Sequence, residues 1–252
     1  VKVIALSSFK GGTGKTSLSV LLANTYAAAG LKVLVVDLDH QQNTTSYHAT
    51  DRDAIVSANI AEAYHRGRLD GNVLPSHVVG VDFVAGSFGI LQQRSASPRT
   101  LAGLLEPVRG RYDVVVVDCP PTLDNLVLSA WDAADTIVTP ARLDAFDLEG
   151  LDTFGETLKR EAPDGKRWIV AVNFYRSRST GEGSLGLDLL EAYRDRFPLS
   201  DYHVPDTTAI FRAVHNGEAL TDAKRTQTVF QAIVGLAGEA YGEPVTPAGG
   251  SI

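Results

Sequence analysis

Cysteine is almost missing from this sequence: Cys119 is the single one in 252 residues. One thiol forms no internal disulfide and cannot furnish a Cys-rich zinc site or the ligands of an iron–sulfur cluster, so a reducing, cytoplasmic setting is expected. The six histidines show no H-E-x-x-H or similar spacing, which excludes the usual imidazole metal sites. Long apolar runs are lacking too. Val1–Ser8 is apolar but runs straight into a glycine-rich turn. No later stretch reaches the roughly 20 apolar residues of a spanning helix, so neither secretion nor membrane insertion is expected. Positive charge is in deficit, 23 Lys and Arg against 30 Asp and Glu, for a net charge of −7. That argues against a surface coated in positive charge for gripping polyanions. A local basic patch stays open, because contacts within about a Debye length of 8–10 Å depend on which residues cluster.

With 44% apolar and 21% charged residues, the composition is that of an ordinary globular protein, long enough for one large domain or two small ones. Short apolar runs at Val1–Ser7, Val33–Asp37, Val81–Ala85, Val114–Asp118, Thr136–Pro140 and Trp168–Asn173 read as buried strands. Helical patterns lie between them at Thr16–Ala29, Ser97–Arg109, Asn125–Ala134, Asp147–Glu161 and Leu185–Phe197, long enough to return the chain for a parallel strand. The predicted fold is therefore α/β, a mostly parallel twisted sheet with helices on both faces. The four valines Val114–Val117 suit a central strand covered on both faces. Gly242–Ile252, with two Pro and three Gly, is expected to be a flexible tail after a single domain over residues 1–241.

After the first strand stands Phe9-Lys10-Gly11-Gly12-Thr13-Gly14-Lys15-Thr16-Ser17, with a helix beginning near Thr16. A strand, a glycine loop and a helix in that order are what a phosphate-binding loop needs. The glycines let backbone N–H groups curl around phosphate oxygens, and the helix N-terminus adds partial positive charge. Lys15 can reach the outer phosphates and Thr16 can hold Mg²⁺. The common pattern G-x-x-x-x-G-K-[ST] fails at its first glycine, where Phe9 stands.

This altered loop resembles that of the ParA/MinD family of ATPases, related to the nitrogenase iron protein, and Lys10 matches that family's signature lysine. The resemblance implies a P-loop fold with a deviant Walker A motif and an ATP-dependent homodimer, in which Lys10 crosses to the other subunit's phosphates. Two facing polyanionic nucleotides need such added positive charge.

Asp37-Leu38-Asp39-His40-Gln41 ends the second predicted strand, and period-two alternation puts Asp37 and Asp39 on one side. Carboxylates at the C-terminal end of a parallel strand point into the crevice where such sheets bind ligands. The run resembles the family's D-x-D-P-Q switch, implying that Asp37 supports Mg²⁺ through water and that Asp39 orients the attacking water. His40 stands where the family usually has Pro. Val114–Val117 followed by Asp118-Cys119-Pro120-Pro121 resembles a Walker B strand with its D-x-P-P switch, which implies Asp118 in the metal shell. Cys119 is read as a small semi-buried residue with no chemistry.

The resemblance continues from Pro120 to Leu158 and so covers most of the chain. It matches Asn173 to a residue that reads the adenine edge, and Val204-Pro205-Asp206 to the loop across the base. The implied nucleotide set is Gly11, Gly12, Thr13, Gly14, Lys15, Thr16, Ser17, Asn173, Pro205 and Asp206. The implied metal set is Thr16, Asp37 and Asp118, and the catalytic set Lys10, Lys15 and Asp39.

Cluster-carrying branches need more cysteine, and MinD relatives end in a basic membrane helix, whereas Tyr241–Pro247 is neither basic nor helical. No membrane partner is expected, and an N-terminal helix-turn-helix is expected to be absent because few residues precede the loop. What remains resembles a short ParA-type partition ATPase, cytoplasmic and nucleoid-associated, working with a ParB-like adaptor. Such relatives bind DNA without sequence preference as ATP dimers. Arg176, Arg178, Arg194, Arg196, Arg212, Lys224 and Arg225 are the basic residues available for this, although Asp206 and Ala209 occupy places where many relatives have Arg.

Intrinsic turnover is expected to be slow, because no arginine finger in the same chain is recognisable and family partners often supply a stimulating basic residue. Two other classes stay open at this point. One is a metabolic P-loop enzyme of the dethiobiotin synthetase kind that activates a small carboxylate; the other is a module that holds ATP without hydrolysing it. Lys10 and the D-x-D-x-Q run favour the switch over the first, and Asp39 favours it over the second.

Overall fold

A run of four valines needs apolar neighbours above and below it, and the computed structural model gives Val114–Val117 both, at the middle of a sheet. It describes residues 1–142, 145–176 and 192–252, with the backbone alone for residues 145–148. The strands are β1 (Lys2–Leu6), β2 (Val33–Asp37), β3 (Leu74–Pro75), β4 (Val81–Val84), β5 (Val114–Asp118), β6 (Thr136–Ala141) and β7 (Arg167–Val172). Among the described residues they form one sheet in the order β3-β4-β2-β5-β1-β6-β7. Every pairing is parallel except the short antiparallel β3–β4 edge. This is the predicted α/β fold with six of the predicted strands in place. The added edge, Leu74–Pro75, is too short for periodicity to reveal, and its Pro belongs at a sheet margin.

Side-chain alternation divides the interior into two apolar layers. Val3, Ala5, Leu34, Val36, Val115 and Val117 face one layer, closed by α4 (Ile60–Arg66), α5 (Thr100–Leu105) and α6 (Asn125–Ala133). Ile4, Leu6, Val33, Val35, Val114 and Val116 face the other, closed by α1 (Lys15–Ala28) and α9 (Gln227–Tyr241). The connection from β1 to β2 passes over the second layer through α1, and that from β5 to β6 passes over the first through α6. The chain thus leaves the β1–β5 centre in opposite directions and opens a crevice at the strands' C-terminal ends.

Three further helices are short: α2 (Asn43–His48), α3 (Arg52–Ser57) and α8 (Thr208–Asn216). α7 spans Ala145–Glu161, two residues longer at its start than expected. The single helix expected over Ser97–Arg109 is instead α5 followed by a 3₁₀ segment, Glu106–Arg111. Pro107 has no N–H for an α-helical bond, so the tighter turn takes over there. The beginning of the helix expected over Leu185–Phe197 lies outside the described residues. No described helix is long and apolar enough to cross a membrane.

The stretch 242–252 departs from the flexible tail expected of it. Leu220 and Ile252 exchange backbone bonds of 2.9 and 2.8 Å, Asp222 N–H donates to Gly250 O at 2.9 Å, and Val245 is buried. Composition pointed to Pro and Gly; the docking of Ile252 on the apolar layer decided the outcome.

Candidate functional site

The glycine loop leaves β1 at Ser7 and delivers Lys15 to the first turn of α1. Gly12 and Gly14 have φ of 74° and 93°, which a side chain would strain. At Gly14 a Cβ would also stand 2.1 Å from Asn173 Nδ2, so glycine is required twice over. Ser8 Oγ donates to Lys10 O at 3.1 Å and shares a 3.0 Å bond with Thr13 Oγ1, which ties the two sides of the loop together. Lys15 Nζ donates to Ser8 Oγ at 3.2 Å and to Lys10 O at 3.1 Å. Burial lowers the pKa of this ammonium, opposed first by Asp118 and then by Cys119 and Asp39. Lys10, Gly11 and Gly12 are exposed, whereas Thr13 is buried and Thr16 and Ser17 are half-buried.

Phe9 explains how the loop does without its first glycine. Its backbone is not left-handed, and its ring lies 4.9 Å from that of Phe154 and 6.2 Å from that of Trp131. Trp131 in turn donates from Nε1 to Ser7 Oγ at 3.0 Å. An aromatic anchor thus holds the start of the loop onto the apolar layer.

Register brings the acidic residues to the loop. Asp37 and Asp118 are paired across β2 and β5, and Leu6 pairs with Asp118 across β1 and β5. Both carboxylates are almost wholly buried. Asp37 Oδ2 accepts from Thr45 N–H at 2.9 Å and Thr45 Oγ1 at 2.7 Å, and Asp37 Oδ1 accepts from Asp39 N–H at 3.0 Å. Asp118 Oδ2 accepts from Thr16 Oγ1 at 2.9 Å and Thr44 Oγ1 at 2.5 Å. Burial raises both carboxyls above the usual range; Asp118 adds to the shift at Asp37, and Asp39 to that at Asp118. Asp39 lies just beyond the strand, with Oδ1 accepting from Gln41 N–H at 3.0 Å and 3.3 Å from His40 Nδ1.

The donors fit a divalent, oxygen-seeking cation. Two buried carboxylates repel each other, and Asp118 Oδ1 is buried with no hydrogen-bond partner among the described residues. No group of three or more His, Cys, Asp or Glu that could hold a metal occurs among the described residues. Such a sparse protein set suits Mg²⁺, which keeps waters and completes its shell with phosphate oxygens.

Asn173 is buried beside the loop, where Nδ2 donates to Thr13 O at 2.8 Å and Oδ1 accepts from Phe174 N–H at 3.0 Å. Its amide therefore braces the phosphate loop, a contact that the adenine-edge expectation did not include. Residues 204–206 run beside the end of β7, with Tyr175 N–H on Val204 O at 2.9 Å and Asp206 N–H on Tyr175 O at 3.0 Å. Pro205 is thereby brought to the same strand end. Asp206 accepts two bonds from Arg176, at 2.7 and 2.5 Å.

Of the basic residues, Arg176 pairs with Asp206, Arg194 with Asp201 at 3.5 Å and Arg196 with Asp152. Arg212, Lys224 and Arg225 are exposed, Arg212 and Arg225 lining one small cleft with Thr207 and Thr208. Arg178 lies outside the described residues.

Sequence reading missed Ser8, Thr44 and Thr45, whose hydroxyls hold Lys15, Asp118 and Asp37, and Gly86. An added Cβ at Gly86 would lie 2.9 Å from Asp37 Cγ, Asp37 Oδ2 and Asp39 O. Neither the two threonines, five and six positions beyond Asp39, nor Gly86 carries a local signal that could have marked them.

Comparison with known proteins agrees with this geometry. Residues 1–164 match the AAA domain family AAA_31. The sporulation initiation inhibitor protein Soj of Bacillus subtilis is 28% identical over 88% of this chain and 89% of its own. The virulence plasmid ParA family protein pGP5-D of Chlamydia psittaci is 34% identical over 76% of each chain. Among solved structures, a plasmid partition protein of Borrelia burgdorferi B31 bound to AMPPNP superposes with a TM-score of 0.77 at 19% identity, covering 92% of this chain and 97% of the other. The sheet order, the glycine loop with Lys10 and the aspartates at the strand ends, taken with these matches, show that the chain belongs to the ParA/MinD family of deviant Walker A P-loop proteins, as a ParA-type member.

Proposed function

We propose that the chain is a Mg²⁺-dependent ATPase switch of the partition type, which dimerises on ATP, holds DNA without sequence preference as the dimer and hydrolyses ATP slowly. The observation that carries this reading is the convergence of Lys15, Asp37, Asp39 and Asp118 on one crevice beside a loop whose Gly12 and Gly14 are left-handed. Gly11–Ser17 supply the backbone donors for the phosphates, and the Lys15 ammonium spreads the charge of the outer ones. Thr16, Asp37 and Asp118 would hold Mg²⁺, which when bound supplies Lewis-acid polarisation of the phosphoryl oxygens. Asp39, the most accessible of the three carboxylates, orients a water for in-line attack at phosphorus, and the leaving group is ADP. Lys10, exposed on the loop's outer side, is the group that reaches toward a second copy's phosphates. Pro205 and Asp206 border the base. A ParB-like adaptor would accelerate hydrolysis, and the dimer would double any weak DNA contact made by Arg212, Lys224 and Arg225, giving retention on the nucleoid by avidity.

The test measures molecular mass and retention on random-sequence DNA with ATP, ADP or no nucleotide, across a salt series. An ATP-dependent dimer with salt-sensitive DNA retention is expected, lost in Lys15→Ala with nucleotide binding itself and prolonged in Asp39→Ala. A monomer indifferent to ATP and to DNA would instead favour an enzyme acting on a small carboxylate.

A further inference from the structure

Arg142 follows the last residue of β6 and lies against the outer side of the glycine loop. Its Nη2 donates to Gly12 O at 3.0 Å, and its guanidinium carbon is 4.3 Å from the centroid of the Phe174 ring. Phe174 is held in turn. Its φ is 56°, a left-handed conformation few side chains adopt, and its N–H donates to Asn173 Oδ1 at 3.0 Å. Asn173 Nδ2 then donates to Thr13 O at 2.8 Å. Two consecutive carbonyls of the loop, those of Gly12 and Thr13, are therefore gripped by side chains from the ends of two neighbouring strands.

That grip matters because a phosphate loop works by orientation. Its N–H groups turn inward only if the intervening carbonyls turn outward, and outward carbonyls need donors to stay there. Arginine suits the task better than lysine, since a planar fork can bond a carbonyl and lie flat on an aromatic ring at once. The backbone of Arg142 is itself fixed, its carbonyl accepting from Tyr193 OH at 3.3 Å.

We propose that Arg142, with Phe174 as its platform and Asn173 as its partner, is a positioning residue that clamps the Gly12 and Thr13 carbonyls and so presets the loop for a polyphosphate. The inference rests on the reading of the loop as an ATP site. It supplies a same-chain arginine on the back of the phosphate loop, one that acts on the loop rather than on the reacting atoms.

The test is titration of the full chain and its variants with fluorescent ADP and AMP, alongside urea unfolding without nucleotide. Loss of one charge-assisted bond predicts about tenfold weaker ADP binding in Arg142→Ala. Binding of AMP, whose single phosphate gains least from the loop, changes little, while the urea midpoint falls modestly with the contacts that Arg142 makes in the nucleotide-free protein. Arg142→Lys keeps the charge without the fork and falls between wild type and Arg142→Ala. Phe174→Leu weakens ADP in the same direction, and the Arg142→Ala, Phe174→Leu pair loses less than the sum of the two. Unchanged ADP affinity in Arg142→Ala, or equal weakening of ADP and AMP, would overturn the clamp. If Arg142→Ala fails to fold, wild-type ADP affinity in Arg142→Lys overturns it instead. Wild-type protein that binds neither ADP nor ATP would remove the ATP reading itself, and the clamp with it, a result distinct from any variant effect.

Discussion

Replacing Thr45 by Val tests whether the acidic end of the crevice is held by hydrogen bonds or by shape. Thr45 is 1% exposed. Its Oγ1 donates to Asp37 Oδ2 at 2.7 Å and accepts from Gly86 N–H at 2.7 Å, and its own N–H gives Asp37 Oδ2 a second bond at 2.9 Å. Valine preserves the branched outline and the main-chain bond but removes both hydroxyl bonds. The Gly86 N–H is then a buried donor without its partner, at about 1–3 kcal/mol; the carboxylate oxygen, still holding one N–H, adds roughly 1 kcal/mol. The extra methyl group returns about 1 kcal/mol at most, for a net loss of about 1–3 kcal/mol. Thr45→Ser is the decisive companion, since it keeps the hydroxyl and gives up one buried methyl at a cost of about 1 kcal/mol. Urea unfolding without nucleotide, analysed at constant m-value, should therefore rank Val as the more damaging substitution. The reverse order, serine worse than valine, would mean that packing rather than hydrogen bonding fixes Asp37, and the reasoning would be refuted.

Gly86→Ala should cost about 1–3 kcal/mol and slow ATP turnover at least tenfold with smaller change in ADP affinity, because the new Cβ must displace Asp37 or the Asp39 carbonyl while leaving the loop alone; steady-state hydrolysis and ADP titration separate the two. Burial, with His77 beside it, lowers His48 to about 3 from an unfolded value of 6.5. Between those values the unfolded chain binds the extra proton, so stability falls as pH falls, by about 2 kcal/mol at pH 5. His48→Gln should flatten that part of the urea-midpoint profile, and an unchanged slope would place the acid sensitivity elsewhere. Removing residues 248–252 should lower the urea midpoint by an amount equal to roughly 1–3 kcal/mol, since it deletes the Leu220–Ile252 pair and the Ile252 contact with the apolar layer; a midpoint equal to that of the full chain would restore the flexible tail.

What the sequence disclosed, and what it withheld, follows from the range over which each residue acts. Asp37 and Asp118 were legible as candidates because each ends a buried apolar strand, with Asp39 two positions on, and Lys10–Ser17 because a glycine loop between a strand and a helix has a composition of its own. Thr44 was not, because its partner Asp118 is 74 positions away, and Arg142 is 130 positions from Gly12. A threonine after a switch motif, or an arginine after a strand, has no local property that distinguishes it from a solvated neighbour. The helices α2, α3 and α4, of six or seven residues, are likewise shorter than the window over which a helical period can be counted. Asn173 is the instructive middle case. Its position after a strand was readable, yet the direction of its amide depends on Gly14 having no side chain and on Thr13 turning its carbonyl outward. A polar residue at a strand end can serve the ligand or the loop that serves the ligand, and only the approach of a distant segment decides which. Here that approach is 2.8 Å, a hydrogen bond already made within the protein, so Asn173 contributes first by shaping the loop.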